Sequence, residues 1–248
     1  MQTDPDTKPT GVLDTGLVGP RGARVSKEVI DRFLALEDLS GTVSDVLDKM
    51  GIRGVIGASI LQPTITTAKI VGQAVTVRNV PQDLDPLQSV TTNENRMTEI
   101  EGINQGAPGD VLVIQGRPDI SNMGGIMATL AKRQGLAGAV VHGGVRDVGQ
   151  SRRIGFPLWT TDISPITGKW RCVTVEVNGT VAIKGISVRP GDLVVADETG
   201  TCFVPQRLID QVLVQAEQIT MKERTILKDI DGGIAMPALA RALFGRGG

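Results

Sequence analysis

The stretch from Pro108 to Asp147 leaves a folding chain almost no latitude. PGDVLVIQG (108–116) reads as a turn leading into a buried strand, Val111–Gln115. GGIMATLAKRQG (124–135) reads as a helix that opens on two glycines, carries Ile126, Met127, Leu130 and Ala131 on one side, and stops at Gly135. AGAVVHGG (137–144) is the next strand. A helix of that length advances about 16 Å at roughly 1.5 Å per residue, and a five-residue strand covers about the same at roughly 3.3 Å per residue. The helix therefore just returns the chain, and the two strands are parallel in a βαβ unit. In such a unit the helix N-terminus lies beside the end of the first strand, and the loop after the second strand emerges at that end. Gly124-Gly125 must then face the run His142-Gly143-Gly144-Val145-Arg146-Asp147.

Composition narrows what this unit can serve. The 248 residues are 40% hydrophobic, enough to bury a core as one large domain. A formal net charge of -1, with Lys and Arg spread along the chain, argues against a nucleic-acid binder. No Tyr, four Phe and two Trp leave little material for base-stacking platforms, so a small polar ligand is expected. Cys172 and Cys202, far apart, suit neither a disulfide framework nor a structural zinc site, which fits a cytoplasmic protein. The acidic N-terminus lacks an apolar signal core, and no stretch approaches the roughly 18 apolar residues of a membrane span, so no membrane partner is expected. With one histidine, any metal chemistry must use oxygen ligands.

Around the βαβ unit the pattern predicts a mobile N-terminal extension (1–24), outside the core, a single domain (25–230) and a short Gly-rich tail (231–248). Ser26 is placed to cap a first helix and Thr42 a second, which ends before Gly51. The β-branched runs ITTAKIVG and QAVTVRNV read as strands, and helix is expected again from Pro86 to Gln105. FPLWTT, CVTVEVNGTVAI and VRPGDLVVADETGTCFVP are strand-rich, with Asn178-Gly179 as a hairpin turn, and residues 206–230 form a long helix. PGDLVVADETG echoes PGDVLVIQG, through either an internal duplication or a shared Gly-Asp turn into a buried strand.

The facing segments carry the candidate chemistry. Two glycines expose backbone N–H groups, the first helical turn has unsatisfied donors, and the helix dipole favours an anion there. Arg146 adds a planar cationic fork and Asp147 a hard oxygen ligand suited to Mg2+ with retained waters; together they could hold a 2-oxo acid. Each piece has an ordinary reading too: Gly-Gly as close helix–strand packing, Arg146-Asp147 as a loop brace, Lys132 as a solvated helix face, and His142 as a structural or rim residue.

The Gly124-Gly125-Ile126-Met127 helix start, with twenty residues between Gly125 and the pair Arg146-Asp147, resembles the RraA-like family, which includes 4-hydroxy-4-methyl-2-oxoglutarate and 4-carboxy-4-hydroxy-2-oxoadipate aldolases. The likeness runs from about Leu39 to Glu217 and takes in VSDVLDKMG, PGDVLVIQG, GGIMATLAKRQGLAGAVVHGGVRDV and VRPGDLVVADETGTCFVP. It implies an α/β fold, a three-layer β/β/α sandwich of swivelling-domain type, assembling as a homotrimer or hexamer. It also implies substrate held by Arg146 and the backbone of Gly124, Gly125, Ile126 and Met127, with a divalent ion, Mg2+ or Mn2+, on Asp147. An acidic residue from a neighbouring subunit is implied near the metal, with Glu198 a candidate. This chain departs from the family at Gly125, where dedicated aldolases carry Asp, and at Gln150, where other relatives carry an acid. His142, often Asp in relatives, is a candidate to compensate.

The resulting expectation is a class II, metal-dependent carbon–carbon lyase. It would cleave a 4-hydroxy-2-oxo acid by retro-aldol chemistry, decarboxylate oxaloacetate, or both, through a pyruvate enolate stabilised by Arg146 and the metal. Decarboxylation is the safer activity, since it needs no base for a departing hydroxyl. Selectivity for the distal group is expected from residues 117–123 or from a neighbouring subunit. The competing expectation is a non-catalytic, RraA-type protein-binding regulator of ribonuclease activity.

Overall fold

A computed structural model describes residues 7–244. Its centre is four parallel strands, β3 (Ile70–Pro81), β4 (Val111–Gln115), β5 (Gly138–Val145) and β6 (Leu158–Ile163), adjacent in that order. The β4 side chains Val111 to Ile114 are all buried, the continuous apolar run that a sheet covered on both faces requires. Antiparallel strands β10 (Leu193–Ala196), β11 (Gly200–Val204) and β1 (Val55–Gly57) extend the sheet beyond β3, and β2 (Gln62–Pro63) closes the far edge on β6. The second half of β3, from Val77 to Pro81, pairs antiparallel with β7 (Cys172–Val177), with a register shift between Arg78 and Asn79.

Alternation along these strands separates the layers. Val75, Val77, Leu112, Ile114, Ala139 and Val141 pack with Ile103 of helix α4 (Glu99–Gln105) and with Ala128 and Ala131 of helix α5 (Gly125–Gln134). Their neighbours Ala74, Val111, Val113 and Val140 face the opposite way, under Val181, Ile183, Ile186 and Val188 of the hairpin β8 (Val181–Ile183) and β9 (Ile186–Val188). The expected β/β/α layering is therefore present, with β4, α5 and β5 as its βαβ centre. Helices α1 (Lys27–Leu34), α2 (Leu39–Lys49) and α7 (Ile209–Asp231) cover β10 and β11 through Phe33, Val43, Leu47, Val212 and Leu213. None of the helices among the described residues is long and apolar enough to cross a membrane.

Several boundaries differ from expectation. Helix α2 begins at Leu39, before the predicted cap Thr42, because Asp197 accepts from both the amide and hydroxyl of Ser40 at 2.8 and 2.6 Å. The single helix predicted over 86–105 is two, α3 (Pro86–Thr91) and α4, because Arg96 and Thr98 exchange hydrogen bonds with Thr174 of β7 between them. Within ITTAKIVG, residues 65–69 lie outside any strand, and the strand begins at Ile70. Asn178 (φ 55°) passes the chain from β7 to β8 without pairing them; the hairpin turn is Lys184-Gly185, both at positive φ. Residues 7–24, expected outside the core, drape over it: Leu13 is buried with Val77, Gly19 bonds to Val177, and Arg24 pairs with Asp110. Residues 1–6 of that predicted extension lie outside the described residues. The tail contains a further helix, α8 (Met236–Phe244), none of whose residues is buried.

Candidate active site

The loop after β5 is set by a local irregularity. Register between β5 and β6 shifts between Val141 and Gly144, and at Gly143 (φ 146°) a Cβ would stand 2.4 Å from Asn122 Nδ2 and 2.6 Å from the Arg117 carbonyl. Asn122 braces this end: its amide donates to the Gly144 carbonyl at 2.7 Å, and its side chain donates to those of Arg117 and Ile120 at 2.8 and 3.0 Å. The strand then delivers Arg146, whose amide donates to Met123, and Asp147, held in the left-handed region at φ 58°.

Helix α5 has no side-chain cap of its own, since Gly124 occupies that position. Asp147 supplies the missing acceptor: its Oδ2 receives the Gly125 amide at 3.0 Å and lies 3.6 Å from Arg146 Nε. The amides of Ile126 and Met127 belong to the first turn and have no helix carbonyl to bond. Gly124, Gly125, Ile126, Met127, Arg146 and Asp147, the six residues singled out from sequence, thus line one cavity of about 270 Å³. Glycine at 124 leaves room for the close approach: a Cβ there would stand 3.1 Å from Arg146 Nε and 3.2 Å from Asp147 Oδ2, tight enough that both side chains would have to shift slightly.

Other sequence candidates lie elsewhere. His142, the proposed substitute for a missing acid, has Nδ1 3.1 Å from the Ala182 carbonyl, on the hairpin side of the sheet. It does not line the cavity. Lys132 is exposed in the last turn of α5. Glu198 stands in a separate cleft with Glu37, Asp38 and Lys69, away from Asp147 of its own chain. Of residues 117–123, Ser121 alone lines the cavity; Asn95, Met97, Glu99, Thr167 and Lys169 complete it. Gln150, on helix α6 (Val148–Arg153), fills the space beside Gly125, donating to the Gly125 carbonyl at 3.2 Å and to Thr129 at 3.0 Å. A Cβ on Gly125 would meet Gln150 Oε1 at 2.3 Å, so the two departures from the family pattern occupy one place in space.

Glu99 was not legible as a site residue. It starts α4, only 6% of it is exposed, and burial raises its carboxyl to about 7 against the lowering effects of its own backbone N–H and of Arg146. The metal question rests on Asp147, a half-exposed hard oxygen donor; among the described residues there is no group of three or more His, Cys, Asp or Glu that could hold a metal ion. An ion such as Mg2+ fits one carboxylate when water and substrate oxygens complete its shell.

The profile of a protein family described as RraA-like, Aldolase/RraA, matches residues 40–203. The chain belongs to the RraA-like family. Among its RraA-like relatives, protein DlpA of Legionella pneumophila is 30% identical over 196 residues, 78% of this chain but 30% of DlpA. A protein of Halalkalibacterium halodurans, provisionally named a 4-hydroxy-4-methyl-2-oxoglutarate aldolase, is 28% identical over 178 residues, covering 71% of this chain and 77% of the relative. The RraA-like fold is shared with the crystal structure of Streptomyces coelicolor RraAS2, described as an unusual member of the RNase ES inhibitor RraA protein family. That likeness has a TM-score of 0.68 at 27% identity and covers 82% of this chain and 98% of the other.

Proposed function

We propose that this RraA-like protein is a divalent-metal-dependent carbon–carbon lyase acting on a small 2-oxo acid, releasing pyruvate or a close analogue. The observation that carries the reading is the convergence of the α5 amides, the Arg146 guanidinium and the Asp147 carboxylate in one cavity. The aldolase name of a relative matching across 71% of the chain supports it.

Asp147 would hold Mg2+ or Mn2+, which supplies Lewis-acid polarisation of the 2-oxo group. The Ile126 and Met127 amides offer donors to the substrate carboxylate at the positive end of the helix. Arg146 lies beside them, placed to neutralise the oxygen on which the enolate charge develops when the bond to C3 breaks. Lys169, Asn95 and Thr167 are polar groups available to the substrate's distal part. A homotrimer or hexamer is the proposed assembly and the cytoplasm the proposed setting.

The test is steady-state pyruvate release from 4-hydroxy-4-methyl-2-oxoglutarate and from oxaloacetate, with Mg2+ or Mn2+ and then with chelator. Arg146→Ala is expected to lower turnover by about 100- to 1,000-fold, and Asp147→Ala to abolish the response to metal. Full activity in both variants would refute the site. A second reading, a non-catalytic regulator that binds a ribonuclease, is favoured by the likeness to RraAS2. It requires that no metal-dependent turnover be seen.

A further inference from the structure

Retro-aldol cleavage removes a proton from the C4 hydroxyl and delivers one to C3 of the enolate, and the residues assigned so far do neither. Four charged or ionisable side chains line the cavity: Glu99, Arg146, Asp147 and Lys169. Arg146 has no lone pair to accept a proton. Asp147 is engaged by the Gly125 amide and assigned to the metal. Lys169, an ammonium 4.3 Å over the Trp170 ring, is a donor without an acceptor. Glu99 remains.

Its setting suits the task. The residue is almost wholly buried and yet borders the cavity, so its carboxyl is shielded from bulk water while open to a bound ligand. Among the described residues no ion pair within 4.0 Å fixes it; its own backbone N–H and the nearby charge of Arg146 are what favour its ionised form against burial. We propose that Glu99 is the proton shuttle of the lyase reaction, taking the C4 hydroxyl proton and returning it to C3. As a carboxylate it accepts the hydroxyl proton; the C3–C4 bond breaks, C4 becomes a carbonyl, and the electron pair passes into the enolate. The resulting carboxylic acid then protonates C3 to give pyruvate and regenerates the carboxylate. The inference rests on the lyase reading above and gives it the acid–base group it lacked.

The charged and titratable groups facing Glu99 are Arg146 from the end of β5, Cys172 from β7, and Asp147 and Lys169 across the cavity. The test compares Glu99→Gln with wild type on 4-hydroxy-4-methyl-2-oxoglutarate and on oxaloacetate, whose decarboxylation needs no hydroxyl base. Retro-aldol kcat is expected to fall by about 100- to 10,000-fold with KM within about threefold of wild type, and decarboxylation, which loses only the C3 proton donor and no hydroxyl base, to fall by less. The rise of kcat/KM through pH about 7 in wild type should vanish in Glu99→Gln and persist, displaced, in Glu99→Asp. Unchanged retro-aldol turnover, or an equal fall in both reactions, overturns the shuttle while leaving the lyase reading intact. If Glu99→Gln does not fold, Glu99→Asp decides: loss of the pH limb overturns the proposal and a displaced limb supports it. A wild-type protein inactive on both substrates overturns the lyase reading and the shuttle with it.

Discussion

Gly125 and Gln150 show how two residues separated in sequence act as one. A side chain at 125 would need the volume that the Gln150 amide occupies, and Gln150 in turn bonds to the Gly125 carbonyl and Thr129. Gly125→Asp is therefore expected to displace Gln150 and cost about 1 kcal/mol, the worth of the hydrogen bonds broken. In a Gln150→Ala background the same change should be close to neutral. A double-mutant cycle by urea denaturation measures the coupling; strict additivity would show that the two do not share the space. From sequence these were two alternative positions for one acid, both without it. Their exclusion of one another is a matter of distance, which spacing along the chain does not report.

At the scale of elements, legibility followed periodicity. The βαβ unit was readable because β4 is apolar from Val111 to Ile114 and α5 ends at Gly135 in a left-handed conformation, three residues before β5 begins. The PGD echo also has a local explanation: Gly109 and Gly191 both sit at φ 88°, and Asp110 and Asp192 each accept a backbone amide across the turn at 2.8 Å, so the same turn chemistry recurs where two strands begin. The hairpin was misplaced because Asn178-Gly179 carries the stronger turn signature, whereas Lys184-Gly185 is the pair whose flanking strands meet. Gly185→Ala should cost about 1 kcal/mol, since φ 83° strains any side chain even with open space around it, and should loosen the cover over Val113 and Val140. Thermal unfolding checks the first effect and amide exchange on β8 and β9 the second. The split of α3 from α4 was not readable, because the intervening backbone is claimed by Thr174, a partner distant in sequence.

For the whole molecule, the buried carboxyl of Glu99 leaves a signature in stability. Its folded-state value of about 7 lies above its ordinary 4.5, so the folded protein holds that proton over a range in which the unfolded chain has lost it. The contribution is complete below about pH 4.5 and is lost as pH rises through about 7, amounting to about 3 kcal/mol. Wild type minus Glu99→Gln, compared by denaturant unfolding across that window, should show this loss; parallel curves would contradict it. The sequence by itself determined the crossover and the meeting of Gly124-Gly125 with Arg146-Asp147, because each follows from local periodicity and the geometry of a parallel crossover, whereas the β/β/α layering was implied by the likeness to the RraA-like family. Only the tertiary structure decided that Glu99 enters the same cavity, that His142 turns to the hairpin and that residues 7–24 lie on the core. Those outcomes depend on which distant segments claim each backbone and side-chain partner, and no local pattern encodes that.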